Sequence, residues 1–201
     1  MSDVSRETLL SLEEFQHLLI KWNKSINLIS KREIDHVWSR HIEDSMQVYN
    51  IAAKFSGLGH WVDIGSGGGL PAIVSAIMDV SAGKFEFYLI ESDGRKCAFL
   101  RQCVATFGLQ AKVHAIRIEQ ANLTTSDLVT ARALAPLDKL LEFAGQLSGG
   151  QGCYIFPKGK NWATELRDAK EKWCFDEVVI PSETDRTAAI IVIDGGSCER
   201  R

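Results

Sequence analysis

Residues 65–69 are four glycines and one serine, set between an apolar run and an apolar helical pattern that opens with Pro71. Glycine tolerates positive φ and lets a ligand approach the bare backbone, while proline suits the first turn of a helix. Free amides and the positive end of the helix dipole then face whatever lies above the turn. The pattern predicts a ligand-binding turn, with Gly65, Gly67 and Gly69 as candidates for cofactor contacts.

Two classes of cofactor use such a turn, and the neighbouring residues favour one of them. Residues 67–72 satisfy the G-x-G-x-x-A pattern of dinucleotide sites. However, Pro71 removes an amide that a pyrophosphate would use, and Asp63 places a carboxylate two residues before Gly65. A carboxylate repels a pyrophosphate and attracts a cationic amino-acid group. The balance favours S-adenosylmethionine over NAD or FAD, and the lack of a following Gly-Lys-Ser/Thr excludes a P-loop.

Two acidic residues are candidates for a role beside this turn. Glu91 ends the next apolar run, where an acid can accept hydrogen bonds from both ribose hydroxyls of a cofactor. The alternatives for Glu91 are a solvated carboxylate or a partner for Arg95. Asp63 is predicted to contact the cofactor or to support the loop, and the alternative is a helix cap.

Hydropathy patterns predict the elements that position these residues. The first part of the chain has two helical patterns, at residues 5–22 and 35–54. From residue 61 onward, short apolar runs alternate with helical patterns, which is typical of βαβ units and a parallel sheet. The last two runs, at 174–181 and 187–194, leave no room for a helix between them and predict an antiparallel hairpin.

The predicted fold class is therefore α/β, with a doubly wound and mostly parallel sheet of about seven strands that ends in an antiparallel pair. The change of pattern near residue 60 divides the chain into a helical cap, residues 1–59, and a cofactor-binding domain, residues 60–201.

Composition narrows the class of protein further. The 201 residues are 45% hydrophobic and 24% charged, which excludes disordered, collagen-like and coiled-coil chains. The net charge of -3 means that a polyanionic partner must be held by a local basic patch. The 5 scattered cysteines form no C-x-x-C pair, which favours a reduced, cytoplasmic protein without a metal site. No stretch approaches the roughly 18 apolar residues of a membrane span.

A series of motifs along most of the chain resembles one family, that of ribosomal RNA small-subunit methyltransferase G, also called glucose-inhibited division protein B. The combination is far more specific than any one motif. In chain order the motifs are WNKSINLIS (22–30), RHIEDS (40–45), DIGSGGGLPAI (63–73), the acid at residue 91 with Ser92, Arg95 and Lys96, RIEQ (117–120), ARALAPL (131–137) and PKG (157–159).

This resemblance implies a class I methyltransferase fold, which is Rossmann-like, and transfer of a methyl group from S-adenosylmethionine to N7 of one guanine in 16S ribosomal RNA. By matched position, it assigns cofactor contacts to Gly65, Leu70, Ile118, Glu119 and Arg132. Guanine N7 carries no proton, so in-line positioning can supply most of the rate enhancement. We therefore predict no catalytic acid or base, and we interpret the histidines at positions 41, 60 and 114 as packed or capping residues.

The predicted partner is 16S ribosomal RNA or the small ribosomal subunit, bound by a monomer without an obligate protein partner or a membrane. Simple solvation of the charged faces is the alternative for the basic residues. Two other functions stay open: a methyltransferase acting on another RNA, a protein or a small molecule, and an NAD-dependent oxidoreductase. The candidate RNA-binding residues are Lys24, Arg40, Arg95, Lys96, Arg132 and Lys158.

Overall fold

The computed structural model describes residues 4–123 and 126–201. Its strands are β1 (His60–Ile64), β2 (Glu86–Glu91), β3 (Ala111–Ala115), β4 (Leu128–Ala131), β5 (Cys153–Lys158), β6 (Trp173–Cys174), β7 (Glu177–Pro181), β8 (Ala189–Asp194) and β9 (Glu199–Arg200). Seven of them form one sheet in the order β3-β2-β1-β4-β5-β8-β7. The first five strands of this order run parallel, and β8 is antiparallel to both β5 and β7.

Helices cover both faces of this sheet. They are α1 (Arg6–Asn23), α2 (Glu43–Ala52), α3 (Ala72–Asp79), α4 (Gly94–Phe107), α5 (Leu137–Ser148) and α6 (Trp162–Lys172). One apolar cluster joins α1, α2, α3 and α4 to one face, and a second joins α5 and α6 to the other. Strand β1 contributes to both clusters, because Trp61 belongs to the first and Val62 to the second. None of the described helices is long and apolar enough to cross a membrane.

Helix α1 packs on the sheet domain through the apolar stripe that the sequence pattern predicted. Leu12, Phe15 and Leu19 are fully buried in the same cluster as residues of α3 and α4. The helix begins with Ser5 as its N-cap, whose Oγ accepts a hydrogen bond from the amide of Thr8 at 3.1 Å. The N-terminal segment thus shares one core with the α/β part, while the division near residue 60 stays a prediction.

The helical stretch predicted at residues 35–54 is helical as far as Ala52, but its first half is not regular α-helix. A 3₁₀ turn covers Lys31–His36, a π-helical turn covers Trp38–Ile42, and only Glu43–Ala52 is α-helical. A π turn adds a residue to one helical turn and is frequently found at functional sites. Here it contains Arg40 and His41, both of which contact the candidate site described below.

The predicted fold class is confirmed, including the antiparallel pair at the end of the chain. The hairpin strands are β7 and β8, in which Val179 lies opposite Ile191. The pattern did not predict the small second sheet, where β6 pairs with β9. These strands have only two residues each, too few for any periodicity to be visible.

Candidate active site

The glycine turn joins β1 to α3 at the carboxyl edge of the parallel strands. The amides of Gly65 and Ser66 both donate to the carbonyl of Ile90 in β2, at 2.9 and 3.1 Å. Gly65 has φ of 68° and Gly67 has φ of 49°, both in the left-handed region that favours glycine. Helix α3 starts at Ala72, with Pro71 as its N-cap rather than its first residue. The turn is therefore fastened to the neighbouring strand by its own backbone.

Glu91 contributes a second fastening of the same turn. Its Oε2 accepts a hydrogen bond from the Gly67 amide at 2.9 Å, and its Oε1 accepts one from the Asp93 amide at 2.8 Å. The residue is only 8% exposed, and Arg95 pairs with Asp93 instead. Each carboxylate oxygen has a further lone pair, so Glu91 can hold the turn and still accept from a ligand hydroxyl.

Asp63 lies beneath the turn. It faces Thr130 in the register of β1 with β4, and its Oδ1 accepts a hydrogen bond from Thr130 Oγ1 at 2.6 Å. Trp61 Nε1 donates to the same hydroxyl at 2.8 Å. Burial raises the pKa of Asp63 to about 6, and its Oδ2 has no hydrogen-bond partner among the described residues. Asp63 is thus a buried group that supports the strand ends from below.

Arg132 follows the last residue of β4 and is held by the N-terminal segment. Its Nη2 donates to the Arg40 carbonyl at 3.1 Å and lies 2.6 Å from His41 Nδ1 and 3.7 Å from Asp44 Oδ2. Within the described residues, its buried Nη1 has no hydrogen-bond partner. Burial and the adjacent Arg132 lower the pKa of His41 to about 4, so the neutral imidazole accepts a hydrogen bond from Arg132 Nη2. The guanidinium is therefore anchored through one nitrogen and free to bind a ligand through the other.

Three cavities open along this edge of the sheet, and Arg132 lines all of them. Cavity A, about 480 Å³, extends from the glycine turn past the ends of β2 and β3, and cavity B, about 310 Å³, lies between the turn and residues 28–30. Both are lined by Gly65 and Lys96, so together they form one cleft over the turn. Cavity C, about 480 Å³, shares the wall of residues 132–135 with cavity A.

The structure brings most of the predicted cofactor residues into the cleft of cavities A and B. The lining residues are Gly65, Gly67, Leu70, Glu91, Ile118, Glu119 and Arg132. Two others lie outside it: Asp63 is beneath the turn, and Gly69 is packed so tightly that a Cβ there would come 2.5 Å from Ile73 Cγ1. Gly69 therefore has a structural role, because it allows the turn to enter α3. The cofactor contact predicted for Gly69 stays a prediction.

The predicted RNA-binding residues are distributed more widely. Lys96 lines the cleft, whereas Arg40 and Lys158 line cavity C. Both cavity C residues are engaged: Arg40 pairs with Asp185 at 2.7 Å, and the buried Lys158 pairs with Glu165 at 2.8 Å. The exposed Lys24 and Arg95 line none of the three cavities. RNA contact by these residues stays a prediction.

Three residues of the site were not predicted to have a role there. Thr130 bonds to Asp63, and His41 and Asp44 hold Arg132. His41 and Asp44 belong to the RHIEDS motif, so the motif itself was the available signal. Thr130 gave no signal, because a threonine in an apolar strand is typical of ordinary β structure.

Comparison with known proteins places this geometry in a family. Residues 8–188 match the family described as rRNA small subunit methyltransferase G. The chain belongs to this family. It is 46% identical over 194 residues to the ribosomal RNA small subunit methyltransferase G of Ruegeria sp. strain TM1040, covering 96% of this chain and 93% of that one. The same enzyme of Gluconobacter oxydans strain 621H is 45% identical, with 96% of each chain covered.

Solved structures share the fold at low sequence identity. An S-adenosylmethionine-dependent methyltransferase from Aquifex aeolicus superposes with a TM-score of 0.57 at 15% identity, covering 78% of this chain and 90% of that chain. The tRNA (uracil-54, C5)-methyltransferase of Pyrococcus abyssi, in complex with S-adenosyl-L-homocysteine, has a TM-score of 0.52 at 15% identity, with 74% of this chain and 37% of that chain covered. The class I methyltransferase fold and the family predicted from the motifs are both confirmed.

Proposed function

We propose that this protein transfers the methyl group of S-adenosylmethionine to N7 of a guanine in 16S ribosomal RNA. The observation that carries the proposal is that motifs spread over more than a hundred residues of this rRNA methyltransferase family meet in a single cleft. Residues 28–30, the glycine turn, Glu91, Ile118 and Arg132 all line it. A cofactor cleft at the carboxyl ends of parallel strands is where α/β sheets bind ligands.

The residues present fit the cofactor's chemical groups. In the ends of the cleft nearest to β2 and β3, Glu91 offers carboxylate oxygens to ribose hydroxyls, while Ile118 and Glu119 offer an apolar side chain and backbone groups to an adenine. Arg132 lines both cavities of the cleft. Its Nη1 is buried without a partner among the described residues, and it suits the carboxylate of the amino-acid moiety. When bound, S-adenosylmethionine supplies an electrophilic methyl group on its sulfonium.

The chain's own contribution to the reaction is positioning. Guanine N7 is a proton-free acceptor on the base, so no side chain has to remove a proton. His41 matches this expectation, because its Nδ1 is occupied by Arg132 and its lowered pKa keeps it neutral. The glycine turn and Arg132 fix the methyl donor, and the wall of residues 132–135 separates it from cavity C. Alignment of donor and acceptor then lowers the barrier.

The partner is proposed to be the small ribosomal subunit or its RNA, and the protein is proposed to act as a monomer in the cytoplasm. The net charge of -3 leads us to expect weak binding to bare RNA and dependence on the shape of the ribosomal particle.

Direct mapping of N7-methylguanosine tests the proposal. Small ribosomal subunits, and the RNA extracted from them, are taken from cells lacking this protein and incubated with the purified protein and labelled S-adenosylmethionine. We expect one N7-methylguanosine that is present in RNA from normal cells and absent from untreated RNA of the deficient cells. Persistence of the same modification without the protein contradicts the proposal. Binding of NAD but not of S-adenosylhomocysteine would instead favour the oxidoreductase alternative.

A further inference from the structure

Cavity C has the position required of a pocket for the methyl acceptor. It shares residues 132–135 with the cofactor cleft. In this wall Ala133 has φ of 52°, a left-handed conformation that is unusual for a residue other than glycine. The next residue, Leu134, lines both cavities and is 38% exposed. The cleft and cavity C therefore meet at these residues, so a base held in cavity C could present one edge to a methyl group held in the cleft.

The volume of cavity C, about 480 Å³, lies within the range of small-molecule sites, roughly 300–1,000 Å³. Enzymes that act on a base commonly take it out of the stack into a pocket and read its Watson–Crick edge. Guanine presents on that edge the acceptor O6 beside the donors N1–H and N2–H. Adenine presents the opposite order, a donor at position 6 and an acceptor at position 1. A pocket selective for guanine needs a hydrogen-bond donor next to a free acceptor.

Four acidic side chains line cavity C, those of Glu33, Asp44, Glu165 and Asp185. Glu33 Oε2 accepts a hydrogen bond from the Ser30 hydroxyl at 2.7 Å. Asp44 Oδ1 accepts from the hydroxyls of Ser182 and Thr184, both at 3.0 Å. Asp185 uses one oxygen for Thr187 and the other for Arg40. These carboxylates hold the pocket's own loops and the basic residues around it.

Lys158 and Glu165 are arranged differently. Lys158 Nζ donates to the Ala135 carbonyl and to Glu165 Oε2, each at 2.8 Å. Its side chain is 7% exposed, and an ammonium group has three protons, so one donor remains after these two bonds. Glu165 Oε2 also accepts from the Leu137 amide at 3.2 Å, and none of these contacts uses Oε1. The pair thus offers one donor beside one free carboxylate oxygen.

We propose that Lys158 and Glu165 form the guanine-reading pair of cavity C: Lys158 donates to O6, and Glu165 Oε1 accepts from the N1–H and N2–H edge of the target base. This inference rests on the proposed function and deepens it by naming the residues that select guanine. It assigns Lys158 to the base rather than to a phosphate. Adenine would place a donor against Lys158 and an acceptor against Glu165, and leaving buried polar groups unpaired gives strong discrimination.

The variant Glu165→Gln tests the proposed pair, because the contacts of residue 165 determine the orientation of the new amide group. The bonds from Lys158 and Leu137 hold the carbonyl oxygen at the Oε2 position, so the amide NH₂ occupies the Oε1 position and faces the donors of guanine. The matched control is Glu171→Gln, an exposed residue of the same helix, α6. Binding of S-adenosylhomocysteine by both variants checks that the cleft is intact.

The experiment measures single-turnover methylation of small ribosomal subunits reconstituted with RNA that carries guanine or inosine at the target position. Inosine lacks only the N2 amine. For the wild-type protein we expect inosine to lower kcat/KM at least about tenfold, the typical effect of losing a hydrogen bond to a charged group. For Glu165→Gln we expect a loss of about tenfold or more on guanine and a guanine-to-inosine ratio close to one.

The outcomes separate this inference from the proposed function. If the wild-type protein methylates the RNA but Glu165→Gln behaves like Glu171→Gln on both substrates, Glu165 does not read the base and the inference is overturned alone. If the wild-type protein binds S-adenosylhomocysteine but methylates neither kind of reconstituted subunit, the proposed function is overturned and the base-reading pair with it.

Discussion

The guanidinium of Arg132 is held at 2.6 Å by the imidazole of His41, a residue 91 positions earlier in the chain. Arg132 belongs to the sheet domain and His41 to the π-helical turn of the N-terminal segment. The contact leaves Arg132 Nη1 buried without a hydrogen-bond partner in the described part of the chain. The N-terminal segment thus orients a residue of the proposed cofactor cleft in addition to covering the sheet.

Replacing His41 by alanine should therefore weaken cofactor binding, although His41 itself is not proposed to touch the cofactor. Arg132 would lose its nearest acceptor, and we expect the Kd for S-adenosylhomocysteine to rise about tenfold. Calorimetry with purified protein measures this. His41→Asn is the matched control, because its amide oxygen can replace Nδ1 as an acceptor and should restore most of the affinity. Wild-type affinity in His41→Ala would show that the contact does not position Arg132.

The same histidine predicts a pH dependence of stability. Its pKa is lowered in the folded protein from 6.5 to about 4, chiefly by burial, so the unfolded chain binds the proton more tightly. This group therefore leaves the free energy of unfolding at its highest above about pH 6.5 and lowers it as the pH falls towards about 4. We expect His41→Asn to reduce this loss by roughly 2 kcal/mol between pH 7.5 and 5. Urea denaturation at both pH values measures it, and equal slopes for the two proteins would contradict the prediction.

The sequence predicted the parts of the site that are local in the chain. The strand–turn–helix around Gly65 was visible because strand, glycines and helix follow one another within twenty residues. The contacts of Arg132 were not visible, because His41 comes from a π turn that helical periodicity does not reveal and that only tertiary packing places beside β4. The sequence did not predict the burial of Lys158 for the same reason. A lysine after a strand suggests a solvent-facing charge, whereas the structure pairs it with Glu165.

Gly65 offers a direct test of the cleft. A Cβ at this position would lie 2.7 Å from Leu134 Cδ1, and φ is 68°. We expect Gly65→Val to weaken binding of S-adenosylhomocysteine at least about a hundredfold, since the branched side chain would occupy the cleft and strain the turn. Circular dichroism should still report a folded protein. The control is Gly145→Ala in α5, where a Cβ meets nothing within 4 Å; unchanged affinity in Gly65→Val would refute the assignment of this turn to the cofactor.

Asp63 gives the opposite pH dependence from His41. Burial raises its pKa in the folded protein from 3.8 to about 6, so the folded state binds the proton more tightly than the unfolded chain. This contribution destabilises the fold as the pH rises from about 3.8 to 6 and is constant above that range. Asn keeps an acceptor for Thr130 and removes the buried charge. We therefore expect Asp63→Asn to be more stable than the wild type at pH 8 by about 2–3 kcal/mol.

The advantage of Asp63→Asn should shrink as the pH falls below about 6 and should be smallest near pH 4. Denaturation curves of both proteins across this range give the difference in their free energies of unfolding. Taking this difference cancels the titration of all other groups. The exposed substitution Glu171→Gln provides the reference for a pH-independent change of charge. A constant difference between Asp63→Asn and the wild type would mean that the pKa of Asp63 is the same in the folded and the unfolded chain, which would contradict the prediction.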